Sequence, residues 1–259
     1  MSIIVTGGSG FIGKNFINLW KRLYKEKIIN IDIQSYAGNF FKEKKQEDFL
    51  YKTDISNKKK IKRIIFHHKP RAIINFAAET HVDRSIKHAD SFVKTNVLGT
   101  LNLLNISKDY IEKYKIKKFK FLHISTDEVF GSLKKKEKKF SETSNYNPKN
   151  PYSATKAASD HLVRSFINTY KFPGLITNCS NNFGFFQMPE KLIPLVIYKA
   201  FLKEEIPIYG NGQQIRDWIY VEDHCYALLK VLKIGKIGQS YNIGGGNEIS
   251  NINLVKKIL

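Results

Sequence analysis

Thr126-Asp127-Glu128 closes the apolar run Phe119–Ser125, and Tyr152 stands four residues before Lys156 in a helix-like stretch opened by Pro151. Residues four apart on a helix share a face. An ammonium beside the Tyr152 phenol would favour its phenolate and let it act as a base below the usual phenol value of about 10. The two adjacent carboxylates add a second acid/base pair. A site holding a tuned phenol and two carboxylates can do more than a single redox step.

Such residues need strand ends and helix starts to hold them. Ser2–Thr6 reads as a short β-strand, Gly7-Gly8-Ser9-Gly10-Phe11-Ile12-Gly13 as a glycine turn, and Lys14–Tyr24 has helical apolar spacing. Glycines there let the backbone approach a pyrophosphate, whose charge meets the helix N-terminus. Asp32, in the next apolar run (27–33), lies nineteen residues past Gly13. A carboxylate at that distance accepts from an adenosine ribose and repels a 2′-phosphate, which favours NAD over NADP. Asp54-Ile55, after Lys52-Thr53, reads as another strand end that could hold adenine, and Ala77-Ala78 ends a buried-type strand over 71–76. Strands alternating with helical segments predict an α/β fold with a doubly wound parallel (Rossmann-type) sheet.

The 259 residues suffice for one large domain or two small ones. Neither a bilayer-spanning apolar stretch nor a signal peptide is expected from the sequence. Cys179 and Cys225 lack metal-ligand spacing and read as buried thiols, so neither a disulfide nor a metal is expected. The chain therefore reads as cytoplasmic. The net charge of +20 is mostly scattered lysine, with short runs at 58–60 and 134–139. Without interleaved aromatic platforms this is a solvated surface, and no nucleic-acid role is expected.

The three motifs Gly7-x-x-Gly10-x-x-Gly13, Ala77-Ala78 and Tyr152-x-x-x-Lys156, in this order, resemble those of the extended short-chain dehydrogenase/reductases. Within them the chain resembles the dTDP-glucose 4,6-dehydratase family. The resemblance is carried by residues 36–39, 77–85 and 123–129, then 151–156, 178–182, 189–194, 214–218 and 241–245. It implies an NAD site formed by Gly7, Gly10, Phe11, Ile12, Gly13, Asp32, Asp54, Ile55, Ala77, Ala78, Thr95, Tyr152, Lys156 and Asn182. Domains of 1–182 for NAD and 183–259 for substrate, partly interleaved, follow from it.

The resemblance also implies a mechanism on one bound sugar. Tyr152, assisted by Lys156, takes the C4 hydroxyl proton while hydride leaves C4. Glu128 removes the C5 proton, Asp127 protonates the departing C6 hydroxyl, and hydride returns to C6. Thr126 holds the sugar near O4. Asp127 must then be protonated while Glu128 is ionised. Asn181, Lys191, Leu192, Arg216 and Asn251 would bind the nucleotide sugar, with Pro207, Ile208 and Tyr209 framing the base and Thr80 near the sugar. The family pairs helices equivalent to 91–104 and 152–166 into a dimer interface, so a homodimer is implied.

Other readings of the same residues stand beside these. Asp127-Glu128 could be a helix N-cap with its first-turn acid, Arg216-Asp217 a surface ion pair, and His123 a satisfied core residue. A nucleotide-sugar 4-epimerase would keep Tyr152 and Lys156 without needing the carboxylate pair. Leu259 falls within an expected helix beginning after Asn251, and the family usually continues further. The C-terminal substrate domain is thus expected to be incomplete, and a silent NAD-binding protein is the non-enzyme alternative. Lysine-rich segments between Asn39 and Tyr51 and between Val129 and Ser141 are expected to be surface loops.

Overall fold

The structure is a computed structural model that describes residues 2–35, 38, 49–133 and 137–259. The motif at 36–39 (Gly38 apart), most of the loop before Tyr51 and part of the 134–139 lysine run lie outside the described residues.

Seven strands form one parallel sheet: β1 (Ser2–Thr6), β2 (Lys27–Asp32), β3 (Leu50–Lys52), β4 (Ala72–Asn75), β5 (Lys120–Thr126), β6 (Gly174–Cys179) and β9 (Ser240–Ile243), in the order β3-β2-β1-β4-β5-β6-β9. β1, β4 and β6 are buried at every residue, as unbroken apolar runs in a two-faced parallel sheet should be. The strand order reverses direction between β1 and β4. In such sheets the crevice for a ligand opens there, outside the strands' carboxyl ends.

Helices cover both faces. On one side α1 (Phe11–Leu23) packs Phe16, Ile17 and Trp20 against Leu228, Leu229 and Leu232 of α8 (Val221–Ile234). On the other, α2 (Lys58–His68), α5 (Thr100–Tyr114) and α6 (Pro151–Tyr170) bury Ile61, Leu104 and Val163. Two short helices, α3 (Val82–Lys87) and α4 (Ala89–Phe92), pack against α6, and α4 continues through a π-helical stretch, Val93–Gly99, into α5. A second sheet is built from β7 (Asn181–Phe183), β8 (Ile215–Tyr220) and β10 (Glu248–Ser250), with β7–β8 parallel and β8–β10 antiparallel. α7 (Leu192–Phe201) and α9 (Asn251–Ile258) accompany it.

The sequence placed β1 at its observed bounds. Helix α1 starts three residues earlier than its apolar spacing suggests, because the glycine turn already ends at Gly10, which is its N-cap. The π-helical stretch was not foreseen. Its extra residue brings buried Asn96 to the loop after β4, where Asn96 accepts from the Glu79 N–H (2.9 Å) and donates to Thr155 of α6 (3.0 Å). That one side chain ties the cleft wall to the helix carrying Tyr152 and Lys156.

Candidate active site

The glycine turn is shaped by contacts that no larger residue tolerates. Gly7 has a φ of +69°, and a Cβ there would sit 2.6 Å from the Ala77 backbone nitrogen. At Gly13 a Cβ would fall 2.3 Å from the Gly7 carbonyl oxygen. Asn30 holds the turn from β2 by accepting from the Gly8 N–H at 3.1 Å. Asp32 accepts from the backbone N–H groups of Ser9 (2.9 Å) and Gln34 (2.6 Å). Burial raises the pKa of its carboxyl against these two bonds.

Beyond the turn a cleft of about 430 Å³ runs along the strand ends. Its wall includes Gly7, Gly10, Phe11, Ile12, Gly13, Asp32, Asp54, Ile55, Ala77, Ala78, Thr95 and Asn182. Thr80, Asn181, Lys191 and Leu192 line it as well, together with Thr126, Glu128, Tyr152 and Lys156. The glycine cradle, the acid of β2 and the small residues at Ala77-Ala78 fit a dinucleotide. Among the described residues no cluster suited to a metal ion is present.

The catalytic helix is set by its cap. Asn150 accepts from Ser153 N–H (2.8 Å), and Ser153 Oγ receives the Asn150 N–H (3.2 Å), a reciprocal box with Pro151 at the first helical position. The Asn150 amide also reaches Glu128 Oε2 at 3.4 Å. At the end of β5, Thr126 caps the 3-10 turn Asp127–Phe130, accepting from the Glu128 N–H at 3.2 Å. The cap is therefore Thr126 and not Asp127, both acids stand in the first turn, and the charges of both bear on Tyr152.

Asp127 is pushed up to about 6, first by burial and then by the charge of Glu128. That is the direction a proton donor needs. The phenol differs from the expectation. Burial, followed by the charge of Glu128, raises the Tyr152 pKa well above 10, while a hydrogen bond from Thr126 works the other way. Lys156 directs its ammonium to the Ile124 carbonyl at 2.8 Å, and burial lowers its pKa. Helical spacing correctly put the two on one helix face. It could not register how dry that face is.

Not every expected residue reaches the cleft. Asp127, Pro207, Ile208, Tyr209, Arg216 and Asn251 do not line it; Asp127 stands behind Thr126 and Glu128, which do, Tyr209 is 79% exposed, and Arg216 donates to its neighbour's carbonyl at Ile215 (3.0 Å). Asp217 does not serve as an ion-pair partner for Arg216 but accepts the backbone N–H groups of Gly245 (2.8 Å) and Asn247 (2.7 Å). Sequence reasoning missed Glu79, His81, Ser125, Cys179, Gln187, Met188 and Glu190 of the wall. Glu79, His81, Ser125, Cys179 and Glu190 carried a signal, as polar residues inside resembling motifs, whereas Gln187 and Met188 fall outside them. Cys179 and Cys225 are free, buried thiols, and His123 is wholly buried.

Residues 4–259 match the family model described as GDP-mannose 4,6 dehydratase. The dTDP-glucose 4,6-dehydratase of Xanthomonas campestris pv. campestris (strain B100) is 48% identical over 262 residues, covering 98% of this chain and 74% of the relative. The chain belongs to the dTDP-glucose 4,6-dehydratase family. Two solved dehydratases of that name superpose over 100% of the chain. The one from Bacillus anthracis str. Ames, with NAD, is 39% identical with a TM-score of 0.87 and 79% of its chain covered. That from Streptomyces venezuelae, also with NAD, is 36% identical with a TM-score of 0.90 and 80% covered.

Proposed function

We propose that this chain is an NAD-dependent hydro-lyase that removes water from dTDP-glucose, giving dTDP-4-keto-6-deoxyglucose. The observation that carries this reading is the pairing of a raised Asp127 with Glu128 on one capped turn beside Tyr152. An epimerase has no use for such a pair. NAD bound in the cleft supplies reversible hydride acceptance and, when oxidised, a positive charge.

The chain's own residues handle the protons. Tyr152 receives the C4 hydroxyl proton. Thr126, by its hydrogen bond, favours the phenolate that burial and Glu128 oppose, and a charged Lys156 one turn along the helix adds to that. A ketone at C4 then acidifies the C5 proton, which Glu128 removes as general base. Asp127, still protonated near pH 6, gives its proton to the departing C6 hydroxyl. Thr126 orients the sugar at O4. Adjacent carboxylates pushed apart in proton affinity allow one to act as acid while the other acts as base.

Residues 1–182 serve the cofactor and 183–259 the sugar nucleotide, with β9 returned to the large sheet. Asn181, Lys191, Leu192 and Thr80 contact the nucleotide sugar from the cleft wall. Arg216 on β8 and Asn251 at the start of α9, with Pro207, Ile208 and Tyr209, take the diphosphate and base from beyond that wall. Arg216 suits that task because its planar fork matches phosphate oxygens. We place the enzyme in the cytoplasm as a homodimer, working on a small nucleotide sugar without nucleic acid or membrane. Two free buried thiols suit a reducing compartment, and among the described residues no helix is long and apolar enough to cross a membrane.

Incubation with dTDP-glucose deuterated at C4 tests the reading. The product should be a 4-keto-6-deoxy sugar with deuterium at C6. A product retaining its C6 oxygen would favour the epimerase.

A further inference from the structure

Tyr152, Lys156, Asp160 and Arg164 follow one another at intervals of four on α6. They therefore form a ladder down one helix face, from the cleft toward β9. The two upper rungs belong to the site described above. Asp160 does not: it is absent from the cleft wall and 0% exposed.

A carboxylate so deep must be met by donors, and one of its two oxygens is met by three. Its Oδ2 accepts from the hydroxyls of Tyr146 (2.7 Å) and Ser125 (2.9 Å) and from the Asn178 amide (3.1 Å). Its Oδ1 lies 3.4 Å from His123 Nε2, a long contact. The tautomer of that histidine follows from its other side. Thr6 donates to Asn75 Oδ1 (2.6 Å), which leaves the Asn75 amide N–H to donate to His123 Nδ1 (3.1 Å). The single proton of neutral His123 then sits on Nε2, facing Asp160. Four groups from β5, β6, the loop before α6 and the core therefore converge on one anion. Tyr146 in turn accepts from Arg164 (2.9 Å), which closes the ladder at its lower end.

Around Lys156 stand Tyr152 and Asp160 on its own helix, His123 on β5 and Cys179 at the end of β6. Burial holds Cys179 up at about 12 and His123 down at about 4, and it raises Tyr152, so in the chain without NAD these three are neutral near pH 7. Burial also works to raise Asp160, but contact with His123, the Lys156 charge and Tyr146 outweigh it and leave the carboxyl below its usual value. Among these neighbours Asp160 is the charge that can offset the burial of Lys156.

We propose that Asp160 is a positioning residue of the catalytic helix, a buried carboxylate whose charge one turn below Lys156 keeps that lysine an ammonium. The proposal rests on the reading of Tyr152 and Lys156 as the proton-handling pair. It explains why three donors are spent on an acid that touches no part of the cleft. It also links Tyr146, on the loop before the helix cap, to the state of the lysine.

The test reads Lys156 directly, without substrate. The intact chain carrying nitrogen-15 lysine is titrated by NMR, with the Lys156 side chain assigned by its loss in Lys156→Arg. In Asp160→Asn the Lys156 midpoint should fall by about one pH unit or more, the usual effect of removing a close opposite charge. Tyr146→Phe, which keeps the carboxylate, should leave that midpoint within a few tenths of a unit while lowering thermal stability. A structural role alone would lower stability in both variants and leave the lysine unmoved, which overturns the proposal. Should Asp160→Asn not melt cooperatively, the wild-type titration decides: an ammonium at pH 7.5 carries the proposal, and a neutral amine there sinks it. Because no turnover is read, failure of the dehydratase reading would show separately, as absent water loss.

Discussion

At the residue scale the account turns on two adjacent acids with different tasks. Asp127 has a folded pKa of about 6 against an ordinary 3.8, and so holds its proton longer in the folded chain than in the unfolded one. As a general acid it works below that value, so kcat/KM for water loss should fall as pH rises through about 6. Asp127→Asn should remove this limb and slow elimination by about 10²–10⁴-fold, the usual worth of a positioned acid. Stability runs by the same sign. Folding binds the extra proton between about pH 4 and 6, so this residue's relative contribution declines across that window and is unfavourable above it. Asp127→Asn should therefore melt higher at pH 7, by about 1–3 kcal/mol, while turning over less. A lower melting temperature for that variant at pH 7 would contradict the assignment. Glu128→Gln should leave C4 oxidation intact and abolish solvent exchange at C5, measured by deuterium uptake. These residue types were legible from spacing alone. The dryness that raises Tyr152 and Asp127 was not, because burial depends on Cys179 and strand ends distant in sequence.

At the element scale the catalytic helix depends on its first turn. Asn150→Ala should cost about 1 kcal/mol through loss of the cap and free Glu128 from its 3.4 Å contact. The measurable result is a lower melting temperature together with a lower rate, whereas a cap with no link to the site would change only the first. Strands β1, β4 and β5 were readable because an apolar run buried on both faces leaves few alternatives. The π-helical stretch was not, since its register is fixed by contacts such as Asn96 with Glu79 and Thr155 that local spacing does not encode. Gly13→Ala, whose Cβ would lie 2.3 Å from a carbonyl oxygen, should weaken NAD binding in a calorimetric titration.

At the scale of the molecule the large sheet takes strands from both ends of the chain, and the smaller sheet packs from the later part alone. Resemblance to a family implied two partly interleaved domains, and the large sheet takes β9 from the later part of the chain. The placement of Pro207–Tyr209, Arg216 and Asn251 away from the cleft wall was beyond it, because side-chain reach follows from tertiary packing. Ile86, Val93 and Leu98 are exposed by 66%, 44% and 50% along the helical run from α3 to α5. If that face joins two copies, sedimentation should give about twice 29.9 kDa at micromolar concentration. A monomeric mass would remove the dimer.

The central claim is that these 259 residues eliminate water from a nucleotide sugar. Mass spectrometry of dTDP-glucose incubated with the purified chain and NAD⁺ tests it most directly. The account predicts a product lighter by one water, formed by the wild-type chain and not by Glu128→Gln. A nucleotide sugar of unchanged mass, recovered from a chain that demonstrably binds NAD, would contradict it.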